Sequence, residues 1–375
     1  MQFIRRFSSI PILTRKFPGQ IRLASSAVED IHNVEKLEED LFGREMKSGG
    51  EKEPRKKGFK TMKKKPLEKS SEKSTNNEIK IDENTNLTYR DLKLKDPILR
   101  DTMMLFNSSR TQKKNALMVL EGRRLIKDAL KSNLTLRKLF FCRREDLKEL
   151  ADLLKNTEKS ELYRTAYRDL TLWSQLSTSP GLLAVFDRPN NLQCKTENCL
   201  PISVICDNIR EPNNLGSVIR ICAALPCREV FVMKGCTDPF DAKCLRGGAG
   251  GQFHIPVKYP IEWESLPEHL PEENSVFVAE SRKDNNSIDV AEYSLPPDHI
   301  KDHHMTVIIG GEIHGISEQG YKLMKLYKDS ASLHIPLASC VESLNTASAL
   351  AVILFELRRK FQQNLENFVN SSDEE

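Results

Sequence analysis

EPNNLGSVIR at Glu211–Arg220, IIGGEIHGIS at Ile308–Ser317 and IPLASCVESLNTASALA at Ile335–Ala351 decide how this chain folds. Each sets Gly, Asn or Ser where an apolar run hands over to a loop or a helix. At such points the backbone can approach a ligand directly. Around them lie ISVIC (202–206), EVFVM (229–233), SVFVAE (275–280) and MTVIIGG (305–311), which read as buried-type strands, with LHIPL (333–337) as a shorter one. LGSVIRICAALP (215–226) reads as a helix and stops at Pro226. Buried-type strands alternating with helices argue an α/β fold on a parallel, doubly wound sheet. ISVICDNIREPNNLG carries no GxGxxG turn after its first strand, which argues against a Rossmann-type nucleotide site.

Before a polar stretch, PNNLQCKTENCLP (189–201), a smaller α/β unit is expected over 109–190. ALMVLEG (116–122), LRKLFFC (136–142), LYRTAY (162–167) and GLLAVFD (181–187) read as strands. GRRLIKDALKS (122–132) and EDLKELADLLKN (145–156) read as helices, the first with Leu125, Ile126, Ala129 and Leu130 on one face. Residues 101–200 hold 18 Lys/Arg against 12 Asp/Glu, whereas 201–375 hold 16 against 25. Broad attraction for phosphate therefore belongs to the middle of the chain and chemistry to its last part. Residues 29–108 are polar and charge-rich and read as a disordered basic linker, either a solvated tether or an arm that touches RNA.

Residues 1–28 hold Arg5, Arg6, Arg15, Lys16 and Arg22 and no acid, interleaved with apolar residues and serines. That is the pattern of a mitochondrial transit peptide, which places the mature protein in the matrix. Residues 365–375 read as an acidic tail. No apolar run approaches the roughly 20 residues of a membrane-spanning helix, so no membrane insertion is expected. The nine cysteines show no CxxC pair and no Cys/His metal spacing. Buried free thiols and no metal site are expected.

The three opening segments, in this order, resemble motifs 1, 2 and 3 of the SpoU/TrmH branch of the SPOUT RNA methyltransferases. VLEGRRLIKDAL followed later by LSTSPGLLAVF resembles the ribosomal-protein-like substrate-binding domain that precedes many SpoU catalytic domains. The resemblance implies a SPOUT α/β knot over 200–364, a parallel sheet with a deep trefoil knot, behind a small α/β RNA-binding domain. It implies S-adenosyl-L-methionine as cofactor and 2′-O-ribose methylation as the reaction. By the same resemblance Arg220 is the catalytic arginine, with Asn214, Glu312, Ser343 and Asn345 beside it in the active site. Gly311, Ile335 and Leu344 are implied at the cofactor, and Arg123, Arg124 and Arg246 at the RNA.

Arginine is a poor base, with a pKa above about 12, so Arg220 is read as a phosphate clamp that orients the hydroxyl. The family's C-terminal helix forms a homodimer. Here Ala347, Leu350, Ala351, Leu354 and Phe355 make that helix apolar almost all round, so it is expected to be buried. LRGGAGGQF (245–253) departs from the family, in which many members carry a serine after the arginine. Its glycines read equally as a phosphate cradle or as loop flexibility. Leader, basic domain and motifs together look most like family members that methylate a guanosine of mitochondrial large-subunit (16S) rRNA, free or in a pre-ribosomal particle. Mitochondrial tRNA methylation and a non-catalytic RNA-binding role in ribosome assembly are the alternatives.

Overall fold

Apolar runs at 117–120, 139–141 and 182–186 lack polar alternation, so the strands they form need cover on both faces. A computed structural model of the chain describes residues 79–93, 96–106, 116–155, 157, 160–174, 176–189, 199–280, 290–292 and 303–372. In it the first sheet joins β1 (Ile79–Ile81), β2 (Thr88–Asp91), β3 (Leu117–Glu121), β4 (Leu136–Phe141), β5 (Glu161–Arg164) and β6 (Leu182–Asp187). Their spatial order is β1-β2-β5-β4-β6-β3. Helices α1 (Pro97–Phe106), α2 (Arg123–Lys131), α3 (Arg144–Leu154) and α4 (Tyr167–Thr171) accompany it. Phe141, Phe186 and Leu150 fill one apolar cluster, and Met103, Phe140 and Tyr163 fill another.

The expectation of a disordered linker across 29–108 is corrected for residues 79–106, which form β1, β2 and α1. Few apolar residues sufficed. Tyr89, Leu99 and Met103 are buried, and β2 adds to an edge already made by β5 through Arg90 opposite Tyr163. Sparse anchors on a short strand and one helix leave almost no periodic signal in a polar stretch. The leader at 1–28, the rest of the linker to residue 78 and the stretch at 190–198 lie outside the described residues.

The second sheet has seven strands, all parallel: β7 (Leu200–Asp207), β8 (Cys227–Met233), β9 (Val257–Ile261), β10 (Asn274–Glu280), β11 (Val290–Glu292), β12 (His304–Gly310) and β13 (Ala331–His334). The order β11-β13-β10-β12-β7-β8-β9 puts β12 in the middle, between β10 and β7. Its helices are α5 (Pro212–Ala224), α6 (Ala242–Gly247), α7 (Glu318–Leu326) and α8 (Thr346–Ser372). Because every strand points the same way, the loops that follow them gather on one edge, where open α/β sheets take ligands.

Helix α8 is not buried all round. Ala347, Leu350, Ile353, Leu354 and Leu357 face the core, but Val352 is 37% and Phe355 54% exposed. The helix also continues to Ser372, into the segment read as an acidic tail.

Both sheets lie within one unit spanning residues 74–375. The Arg188 guanidinium reaches both Asp238 carboxylate oxygens at 3.2 and 3.0 Å and donates to the Leu117 carbonyl at 2.9 Å. Phe240, Leu245 and Phe253 join the same apolar cluster as Leu120 and Ile126. Among the described residues no helix is long and apolar enough to cross a membrane, and no cluster of His, Cys, Asp or Glu is placed to hold a metal. Seven of the cysteines are free thiols, of which Cys340 is exposed. Cys199 is disulfide-bonded, against expectation.

Candidate active site

Strands β7 and β12 stay paired to their last residues, with Gly310 opposite Asp207. The loops that carry motifs 1 and 2 therefore start side by side. Gly311 donates its N–H to the Asp207 carbonyl at 3.0 Å. A Cβ at Gly311 would lie 2.3 Å from the Asn208 carbonyl oxygen, so only glycine allows this approach. The motif 2 loop then closes on itself, Gly315 N–H donating to the Gly311 carbonyl at 2.8 Å with Gly315 at φ 59°.

Its far end is pinned by the Asp207 carboxylate, which accepts from the Ser317 N–H at 2.6 Å. Burial pushes the Asp207 carboxyl above the usual carboxylate range, and the Ser317 bond works against that shift.

Helix α5 begins at Pro212 because Pro suits the first helical position and the Glu211 carboxylate caps the Asn213 N–H at 3.4 Å. Helix α8 begins after Asn345, whose Oδ1 accepts from the Ala347 N–H at 3.1 Å. These two starts bring the motifs together. Asn345 Nδ2 donates to Glu312 Oε1 at 2.7 Å and to Asn214 Oδ1 at 3.1 Å. Asn214 Nδ2 donates to the same Glu312 oxygen at 3.1 Å. One side chain from each motif thus closes a ring of three hydrogen bonds.

Gly311, Glu312, Ile335, Ser343 and Leu344 line one cleft of ≈ 130 Å³ beside this ring. Its walls are largely apolar, with Ile309, Ile316, Leu337 and Ile353, while the Ser343 hydroxyl and Glu312 carboxylate supply polar groups. Sequence reasoning missed Asp207 and Thr346, whose Oγ1 donates to the Gly310 carbonyl at 3.3 Å. Asp207 had one signal, an acid ending an otherwise apolar strand. Thr346 had none.

Arg220 stands apart. It lies on α5 six positions after Asn214, about 9 Å along the axis and about 120° round it. Its side chain is exposed and has no hydrogen bond or ion pair among the described residues.

The glycine run behind it does a third thing that the sequence did not suggest. A Cβ at Gly216 would meet the Cys244 carbonyl at 2.3 Å, one at Gly247 the Asn213 carbonyl at 3.0 Å, and one at Gly251 the Arg220 Cα at 3.0 Å. Glycine here lets α5 and the α6 loop touch backbone to backbone. Arg246, half-buried in the last turn of α6, has no side-chain partner among the described residues.

The basic residues of the first sheet divide. Arg123 is committed to Asp146 and Glu149, both at 2.6 Å. Arg124 is exposed and without a partner among the described residues.

Known proteins resemble this chain over most of its length. Residues 201–355 match the SpoU rRNA Methylase family. The chain is 30% identical over 348 residues to rRNA methyltransferase 3, mitochondrial, of Homo sapiens, covering 81% of each protein. It is 27% identical over 262 residues to a 23S rRNA (guanosine(2553)-2′-O)-methyltransferase of Bacillus subtilis, covering 69% of this chain and 95% of that one. The AdoMet-bound rRNA methyltransferase of Sinorhizobium meliloti superposes with a TM-score of 0.59 at 19% identity, over 72% of this chain and 97% of that one, and shows the same fold. With its motif residues gathered at one strand edge and a relative matched along most of both chains, this protein belongs to the SpoU rRNA methylase family.

Proposed function

We propose that this chain transfers a methyl group from S-adenosyl-L-methionine to the 2′-hydroxyl of a guanosine in mitochondrial large-subunit (16S) rRNA, in the matrix, as a homodimer. The observation that carries the chemistry is the ring Asn214–Glu312–Asn345 at the edge of the motif cleft. The substrate follows from the human relative named as a mitochondrial rRNA methyltransferase and the bacterial one named for guanosine 2′-O chemistry. Residues 1–28 as leader, 29–78 as linker, 109–190 as RNA-binding domain, 200–364 as knotted catalytic domain and 365–375 as acidic tail complete the reading.

The lining suits the cofactor, although at ≈ 130 Å³ the cleft is smaller than the roughly 300–1,000 Å³ of ligand sites and takes only part of it without opening. Apolar walls suit a flat adenine, and the glycine floor at Gly310–Gly311 lets a ligand approach the backbone with no side chain between. Bound S-adenosyl-L-methionine supplies an electrophilic methyl on a sulfonium. The ribose hydroxyl that would accept the methyl would give its proton to phosphate or water, since an arginine such as Arg220 stays protonated.

Glu312 and the two asparagines hold the motif loops in fixed register, so the reacting groups meet already oriented. Arg220, unpaired on α5, clamps an RNA phosphate through its planar fork and leaves proton removal to other groups.

The test offers the chain and its Arg220→Ala variant labelled S-adenosyl-L-methionine with an unmodified large-subunit rRNA transcript and a mitochondrial tRNA pool. Methylation of the rRNA alone, reduced on the order of a hundredfold in the variant, supports the reading. Label in the tRNA keeps the chemistry and overturns the substrate. Tight RNA binding without transfer, including to a pre-ribosomal particle, replaces catalysis with an assembly role.

A further inference from the structure

The first sheet carries a second cleft of ≈ 710 Å³, remote from the motifs in sequence. That volume lies within the roughly 300–1,000 Å³ of ligand sites. It opens where β2, β4 and β5 end. These strands are parallel, so Asp91, Cys142 and Arg164 emerge on one edge.

Its lining holds several uncommitted groups. Arg164 is half-buried and has no acceptor among the described residues. Arg143 is 64% exposed and stands 3.6 Å from an Asp146 carboxylate that Arg123 already holds at 2.6 Å. The Thr165 hydroxyl is buried with no hydrogen-bond partner, which is unfavourable unless a ligand or water completes it. Asp91, the one acid of the lining, is matched by Lys80 at 2.5 Å.

Tyr167 presents an aromatic surface held in place. Its hydroxyl donates to the Ser179 carbonyl at 2.9 Å, and the ring is so close to Gly181 that a Cβ there would lie 3.4 Å from it. The residue is still 50% exposed. Cys142 offers no nucleophile, since burial and the nearby Asp146 push its pKa up to about 11.

Cations for a phosphate, a fixed aromatic surface for a base and a spare hydroxyl suit a nucleotide better than any apolar ligand. Arg144, the next residue along, is exposed and unpartnered among the described residues, so basic surface continues past the cleft, as a strand requires. Paired bases have no free face to offer, whereas an unpaired one can turn outward. We propose that this cleft takes one unpaired nucleotide of the substrate RNA, its phosphate on Arg164 and Arg143 and its base against Tyr167. This rests on RNA being the substrate of the neighbouring motif site.

The test measures affinity of the full chain for three labelled RNAs by fluorescence anisotropy: a hairpin with one bulged nucleotide, the same hairpin fully paired, and a mixed-sequence single strand. Guanosine monophosphate serves as competitor. The wild type should favour the bulged and single-stranded RNAs. Arg164→Gln and Tyr167→Leu should each weaken those two by roughly tenfold and leave the paired hairpin unchanged, while Tyr167→Phe keeps the preference. Equal affinity for all three RNAs, or equal losses on all three, overturns the cleft and leaves the proposed reaction standing. Monophosphate binding that Arg164→Gln abolishes, with no preference among RNAs, overturns it in favour of a free nucleotide. No binding to any RNA overturns both.

Discussion

Asn345 answers two demands with one side chain. Its oxygen caps α8 at the Ala347 N–H, and its amide nitrogen ties Glu312 to Asn214. The demands can be separated by substitution. Asn345→Asp keeps a capping oxygen but sets a carboxylate against Glu312, so stability should change little while methyl transfer falls on the order of a hundredfold. Asn345→Ala loses both functions, and urea unfolding should show a further drop of about 1 kcal/mol. Equal stability of the two variants would remove the cap from the argument. Asn214, Glu312 and Asn345 could be singled out in the sequence because each sits in a short motif segment, and the structure brings the three together. Arg123 was not, since its partners lie 23 and 26 positions away and nothing local announces them.

At the scale of elements, the contact between α5 and α6 decides where the motif 1 residues stand. Alanine is a better helix former than glycine by about 1 kcal/mol, so Gly216→Ala ought to help α5 in isolation. In the fold a Cβ there would press to 2.3 Å on the Cys244 carbonyl, a backbone atom that cannot swing aside. Overpacking of this kind costs about 1–3 kcal/mol, so the net effect should be a lower melting temperature, and a rise would show that α6 yields. The long apolar strands β7, β8, β10 and β12 could be read directly, because burial on both faces writes an unbroken apolar run. Helices α4 and α7 were passed over: α4 is five residues long, and α7 carries Gly320 in its first turn, which weakens the helical signal. The glycine run at 247–251 was seen and left open, because close approach of two backbones depends on the partner helix and not on the run itself.

For the whole molecule, the exposed apolar residues of α8 and the motif loops matter most. Ile313 is 89%, Val341 45% and Phe355 54% exposed, a distribution that a second copy of the chain would cover. Phe355→Glu, at a position outside the core of the single chain, should leave the melting temperature of the monomer nearly unchanged and abolish the dimer in light scattering. A dimer that survives the substitution would move the interface elsewhere. Within one chain the two sheets are joined by the largely buried Arg188–Asp238 pair and a shared apolar cluster. The ring at the site spans the chain differently. Glu312 meets Asn214 across 98 positions, and Asn345 meets Asn214 across 131. A growing chain that has folded its first sheet and the strands of its second therefore holds only the Asn214–Glu312 contact of the ring. On the proposed function, the ring is closed only when the last helix is made, so a chain stopped before Asn345 should transfer no methyl group.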